Sequence, residues 1–150
     1  MLCKHYGKCG GCQVQHLSYD EQVDLKVKDV INLFKIEPEE VIKSPKIFYY
    51  RNRMDWVIGP NYFVGLKEKG KWWSYVNIEE CLLQSQESNR IRNEFREFIK
   101  EKNLEPWDTK RHKGFVRYIV VREGKFTGER LVNIITVSYT HLRAHETVLD

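Results

Sequence analysis

Cys3-Lys4-His5-Tyr6-Gly7-Lys8-Cys9-Gly10-Gly11-Cys12 holds three of the chain's four cysteines, and the fourth is Cys81. Gly7, Gly10 and Gly11 let the backbone fold around a small centre and turn its N–H groups towards the sulfurs. The pattern describes a polydentate thiolate site that a distant fourth thiol closes. Four readings are open. Disulfides suit an exporting compartment, but no apolar run long enough for a signal peptide precedes Cys3, and an aromatic core of this size needs no staples. Structural zinc usually takes its sulfurs from two matched C-x2-C knuckles, whereas C-x5-C-x2-C plus a lone Cys81 is unmatched. Unconnected core cysteines seldom cluster between glycines and lysines. A [4Fe-4S] cluster on Cys3, Cys9, Cys12 and Cys81 fits the 3+1 spacing, one loop wrapping the cluster and another locking it, and the spacing favours this reading. His5 is then a neighbour rather than a ligand.

Working outward, 150 residues with 41% hydrophobic and 13% aromatic content are enough for one core and argue for one domain. No stretch approaches a membrane span, and a charged fraction of 31% fits a soluble, cytoplasmic chain. A formal charge of +4 and a pI near 8.8 are compatible with an RNA partner without requiring one.

After the cysteine loop, Ser18-Tyr19-Asp20-Glu21 reads as a capping box opening a helix that runs to about Ile36, where Glu37-Pro38 ends it. Val23, Val27, Val30, Ile31 and Phe34 form its core-facing stripe. Residues 46–58 alternate as a half-buried strand, with Phe48, Tyr50, Met54, Trp56 and Ile58 inward and Tyr49, Arg51, Arg53 and Asp55 outward. An arginine pair beside a tyrosine can hold phosphates and stack an unpaired base, while a merely solvated face has Asp55 neutralising one arginine. Gly59-Pro60-Asn61 turns the chain, and residues 62–67 and 71–77 form a hairpin that delivers Cys81. Trp72, Trp73 and Tyr75 are read as packing rather than stacking groups. A second helix is expected over residues 88–102, with Ile91, Phe95, Phe98 and Ile99 inward and Arg90, Arg92, Arg96 and Lys100 as a basic outer face. Asn103 makes a left-handed stop before Pro106. Lys110, Arg111, His112 and Lys113 form a basic loop where a phosphate contact is inexpensive. Residues 115–122 and 129–136 pair as antiparallel strands.

These residues also carry a family resemblance. His5-Tyr-Gly-Lys-Cys-Gly-Gly-Cys-Gln-Val-Gln-His16 resembles the cluster-binding signature of the bacterial iron–sulfur-containing RNA uracil-C5 methyltransferases, the 23S rRNA type. Tyr50-Arg51-Asn52-Arg53, Ile78-Glu79-Glu80-Cys81-Leu82, Arg117-Tyr118 and Val121-Arg122-Glu123-Gly124 match in the same order, so the resemblance runs from Cys3 to about Thr136. It implies an S-adenosylmethionine-dependent enzyme acting on RNA, with 23S rRNA as the expected partner and a monomeric parent. In that family a cysteine thiolate adds to the uracil ring and a carboxylate removes the C5 proton. Here all four thiols are assigned to the cluster, and no G-x-G marks a Rossmann-like cofactor turn. No catalytic or S-adenosylmethionine-binding residue is therefore expected in this chain, and the resemblance places them beyond a truncation. The family's frequent N-terminal oligonucleotide-binding barrel is likewise expected to be missing.

Residues 137–147, Val-Ser-Tyr-Thr-His-Leu-Arg-Ala-His-Glu-Thr, read as a translated transposon-type sequencing-library adapter, so residues 137–150 are expected to be a non-native tail. His141 and His145 then carry no function. The resulting expectation is an α+β fold: a mixed or antiparallel sheet, two main helices and an N-terminal four-cysteine loop. Residues 1–16 form the cluster-binding loop, and residues 17–136 form an incomplete central RNA-binding and cluster domain closed by Cys81. Metal ligands are Cys3, Cys9, Cys12 and Cys81, and RNA contacts are Tyr49, Arg51, Arg53, Lys110, Arg111 and Lys113. The alternative is a zinc-binding, non-enzymatic RNA module.

Overall fold

The computed structural model describes residues 2–137. The expectations for residues 138–150 lie outside the described residues. The first helix, α1 (Tyr19–Phe34), opens with the expected capping box: the Glu21 amide donates to Ser18 Oγ, and the Ser18 amide donates to Glu21 Oε2 at 2.7 Å. It stops before Glu37-Pro38, because Lys35 takes a left-handed conformation (φ 59°) and its amide closes on the Ile31 carbonyl. The expected core stripe is corrected. Val23, Val27 and Ile31 are half-buried, Val30 and Phe34 are exposed, and no α1 residue is buried. The helix leans on residues 43–44 instead of the sheet, through Lys43 to Asp20 (2.6 Å) and the Ser44 amide to the Tyr19 hydroxyl (2.7 Å).

The sheet is built from β1 (Arg53–Gly59), β2 (Phe63–Glu68), β3 (Lys71–Asn77), β4 (Val116–Glu123) and β5 (Arg130–Thr136). Its order is β3-β2-β1-β4-β5, and every pairing is antiparallel. With α2 (Gln86–Glu101) between β3 and β4, this is the α+β architecture expected from the sequence. β1 begins later than the alternation implied. Tyr49 is left-handed (φ 57°), and the amides of Tyr49 and Arg51 donate to the carbonyls of Leu82 and Leu83. Residues 49–51 thus run beside the segment after Cys81, which leaves Phe48 half-buried and Tyr50 exposed rather than in the core. From Met54 the alternation holds, and Met54, Trp56 and Ile58 are buried.

β2 and β3 approach so closely at Gly65 that a Cβ there would sit 2.0 Å from the Val76 carbonyl oxygen. Only glycine fits this contact. A bulge at Lys67/Glu68 ends the regular pairing, and there the cysteine loop attaches: Gly10 N–H donates to the Lys67 carbonyl and Lys69 N–H to the Lys8 carbonyl.

α2 is capped by Ser85, whose hydroxyl accepts from the Ser88 amide, and Asn103 (φ 50°) supplies the left-handed stop. Its buried face is Ser88, Asn89, Arg92, Phe95 and Ile99. The expected basic outer face is corrected, since Arg92 is fully buried and Arg96 half-buried, donating to the Val64 and Ile78 carbonyls; Phe98 is exposed. Positions 88, 92, 95 and 99 form one helical stripe, and Arg92 Nη1 and Nη2 donate to neutral acceptors on Asn89, Glu79 and Asn93. The core joins that stripe to Trp56, Ile58, Val64, Ile78, Val116, Ile119 and Val121.

Glu123, at the end of β4, ties the sheet to α2 by accepting from Ser85, Lys125 (2.5 Å) and Arg130 (3.1 Å). β5 is an edge strand among the described residues, with Leu131, Val132, Ile134 and Ile135 exposed. Val137, read as the first residue of the tail, continues the ladder by donating to the Phe115 carbonyl (3.0 Å). No helix among the described residues is long and apolar enough to cross a membrane.

Candidate metal centre

The cysteine loop is wound by its own backbone: Tyr6 N–H donates to the Cys3 carbonyl, and Cys9 N–H to the His5 carbonyl, both at 2.9 Å, with Gly7 at φ 83°. Gln15 Oε1 accepts from the Cys3 amide at 3.0 Å. The loop lies across the β2–β3 hairpin, while Cys81 arrives from the segment after β3. As a result Cys3, Cys9, Cys12 and Cys81 line one cavity, together with Leu66, Ile78 and Leu83. All four thiols are free.

Burial pushes the Cys9, Cys12 and Cys81 thiols up, Cys12 to about 11, and for Cys9 and Cys12 the neighbouring cysteines push further in the same direction. Several groups work the other way. Gly11 N–H points at Cys9 Sγ (3.3 Å), the amides of Leu83 and Gln84 reach Cys81, Arg51 lies within electrostatic reach of Cys9 and Cys12, and Arg92 within reach of Cys81. With Cys9, Cys12 and Cys81 resisting ionisation, and amides and guanidinium groups around them, the donor set is one whose thiolate state a cationic centre would hold. His5 is engaged elsewhere: its Nε2 accepts from the Glu79 amide at 3.3 Å, and burial followed by Lys4 lowers its pKa.

The donor set also bears on nuclearity. A single tetrahedral zinc, with Zn–S about 2.3 Å, holds its sulfurs about 3.8 Å apart. A cubane binds each thiolate to its own iron and spreads them more widely. Cys3, Cys9, Cys12 and Cys81 share one cavity, and metal and sulfide content separates the two cases.

The expected RNA-contacting residues do not form one patch. Arg51 is half-buried, with Nη1 3.5 Å from Met54 Sδ and its charge towards the cysteines; Tyr49 is half-buried beside Leu82. Arg53 is exposed and forked onto Asp55 (2.7 Å twice). The basic turn before β4 is exposed at Lys110, Arg111 and Lys113, with Asp108 Oδ1 accepting from the amides of Lys110 and Arg111. Arg53 pairs across the sheet with Arg122, at the opposite end of β4, so the two basic regions stand about 20 Å apart along that strand. Three residues escaped the sequence reading. Arg122 becomes a neighbour of Arg53 only through strand register. Asn89 and Arg92 were hidden by hydropathy, although their helical spacing to Ser88 and Ile99 was available. Trp72 and Trp73, expected to pack, are exposed on β3 and meet edge to face at 5.8 Å.

The chain is similar to part of several RNA methyltransferases, uracil-C5 methyltransferases among them. An uncharacterized RNA methyltransferase of Nanoarchaeum equitans is 49% identical over 134 residues, 89% of this chain and 29% of that protein. The 23S rRNA (uracil(747)-C(5))-methyltransferase of Pyrococcus horikoshii is 44% identical over 148 residues, 99% of this chain and 34% of that protein, so this alignment runs through most of residues 137–150. The crystal structure of Pyrococcus abyssi tRNA (uracil-54, C5)-methyltransferase in complex with S-adenosyl-L-homocysteine superposes with a TM-score of 0.75 at 42% identity. It covers 85% of this chain and 32% of that one. The chain spans about a third of the length of these relatives. No protein-family model matches it.

Proposed function

We propose that this chain is the cluster-carrying and RNA-contacting part of a cytoplasmic, S-adenosylmethionine-dependent RNA uracil-C5 methyltransferase. The observation that carries the reading is the meeting of all four cysteines, from two distant segments, in one cavity. Cys3, Cys9, Cys12 and Cys81 would hold a [4Fe-4S] cluster, which when bound cross-links the N-terminal loop to the segment after β3. The chain's own residues do the rest: Gly10 and Lys69 seat the loop on the hairpin, and amides from Gly11, Leu83 and Gln84 answer charge on sulfur. With the thiols so committed, the nucleophile that adds to the uracil ring comes from outside the described residues.

Phosphates are met by Arg53, Arg122, Lys110, Arg111 and Lys113, and unpaired bases by Trp72 and Trp73. The relatives include both tRNA and 23S rRNA enzymes, and the resemblance of the cysteine-loop motif is to the 23S rRNA type. Filter binding of a 23S rRNA fragment and of tRNA across a salt series tests this. Affinity should fall as salt rises, more tightly held by the 23S fragment; binding indifferent to salt contradicts a phosphate-led interface. A zinc-bound, non-enzymatic RNA module is the second reading, and acid-labile sulfide distinguishes it, since sulfide accompanies iron in a cluster and does not accompany zinc.

A further inference from the structure

Arg92 is fully buried, with its guanidinium over the Trp56 ring at 4.7 Å from the centroid. Nη1 donates to Asn89 Oδ1 at 2.7 Å, and Nη2 donates to the Glu79 carbonyl and to Asn93 Oδ1. Each of these acceptors is neutral, and a buried cation is costly unless a negative group answers it. Burial, then Arg96, pulls its pKa down to about 10, which leaves it charged at neutral pH. The groups within its electrostatic reach that can carry negative charge are Glu80, which is exposed to solvent, and Cys81 when it is a thiolate. Asn89, which Arg92 fixes, grips Cys81 at both main-chain groups: the Cys81 amide donates to Oδ1 (2.8 Å), and Nδ2 donates to the Cys81 carbonyl (2.9 Å).

Resting on the cluster reading above, we propose that Arg92 is a positioning and charge-compensating residue for the four-cysteine centre. It orients the Asn89 clamp that sets the main chain of Cys81, and its buried charge offsets the negative charge that the thiolates bring. Arg51 answers Cys9 and Cys12 from another side. An arginine buried only to fill space beside Trp56 would be replaceable by an uncharged side chain of similar length. Arg92 is expected not to be.

The test uses the full chain, Arg92→Met and Arg92→Lys, each reconstituted anaerobically with ferrous iron and sulfide. Iron and sulfide content, the rate of iron loss to a chelator and the reduction potential are measured. Arg92→Met should lose iron about 10- to 100-fold faster, as outer-shell partners of ligands do when removed, and should shift the potential negative. Arg92→Lys keeps the charge and should hold its potential near the parent's. Equal potential and equal iron loss in parent and Arg92→Met overturn the proposal. Should Arg92→Met not fold, Arg92→Lys decides, since a potential far from the parent's would rule out compensation by charge. Failure of the parent itself to take up iron and sulfide sinks the cluster reading, whereas a loaded parent with indifferent variants sinks this inference alone.

Discussion

At the scale of single residues, the cysteines were legible because their chemistry is strong and their spacing is local, while their partners were not. Cys81, expected as the fourth thiol from the hairpin that precedes it, lines the same cavity as the other three. Arg92 was misplaced. Charge argues for solvent, and only the acceptors presented by Glu79, Asn89 and Asn93 overturn that argument. Cys81→Ser should leave the far-ultraviolet circular dichroism of the metal-free chain unchanged and abolish stable iron and sulfide binding, because one open coordination position exposes the iron. Retention of the parent's iron content by Cys81→Ser would remove that residue from the ligand set.

Glu123 allows a prediction about pH. Burial pushes its carboxyl up, but Lys125, Ser85 and Arg130 together outweigh burial and hold it below the ordinary carboxylate range. A depressed folded-state pKa contributes stability above the unfolded carboxylate pKa, and that contribution disappears as the pH falls through the folded value. Glu123→Gln should therefore cost about 1–3 kcal/mol at neutral pH by leaving buried partners poorly matched. The gap between variant and parent should close in acid. Thermal unfolding at several pH values checks this, and a gap that widens in acid would contradict the sign.

At the scale of elements, capping and turn chemistry were readable while burial was not. Ser18 and Glu21, Asn103 and the Lys69-Gly70 turn signal their roles within a few residues. Which face of α1 meets the core, and where β1 begins, depend on residues far away in sequence. Tyr49 leaves the strand pattern because it pairs with Leu82, which no alternation of nearby residues encodes. Gly65→Ala should destabilise the hairpin by about 3 kcal/mol, since the added methyl meets the Val76 carbonyl and the Ile78 amide and forces the strands apart. The same displacement reaches Cys81 through Ile78, so iron retention should fall along with the melting temperature. On β3, replacing Trp72 and Trp73 with alanine should weaken single-stranded RNA binding by about 1–3 kcal/mol for each base that stacks. Unaltered affinity would return both tryptophans to the role of bare surface.

At the scale of the whole molecule, the α+β sheet with two helices followed from the sequence, and what did not follow is how its exposed parts are used. The α1 stripe reads as core because its side chains are apolar, yet Val30 and Phe34 face outward, and the apolar β5 lies at the sheet edge with Leu131, Val132, Ile134 and Ile135 exposed. The adapter reading of residues 137–150 predicts that deleting residues 138–150 leaves hydrogen-exchange protection in β1 and α2 unchanged. Cooperative loss of that protection would make the segment part of the fold, in line with the alignment that runs through it. The central proposal is that the four thiols hold a cluster rather than a single ion. Metal and acid-labile sulfide analysis of the chain reconstituted anaerobically, with ferrous iron, sulfide and zinc all offered together, asks that question directly. The account predicts iron and sulfide bound in equal amounts with negligible zinc; one zinc per chain without sulfide would contradict it.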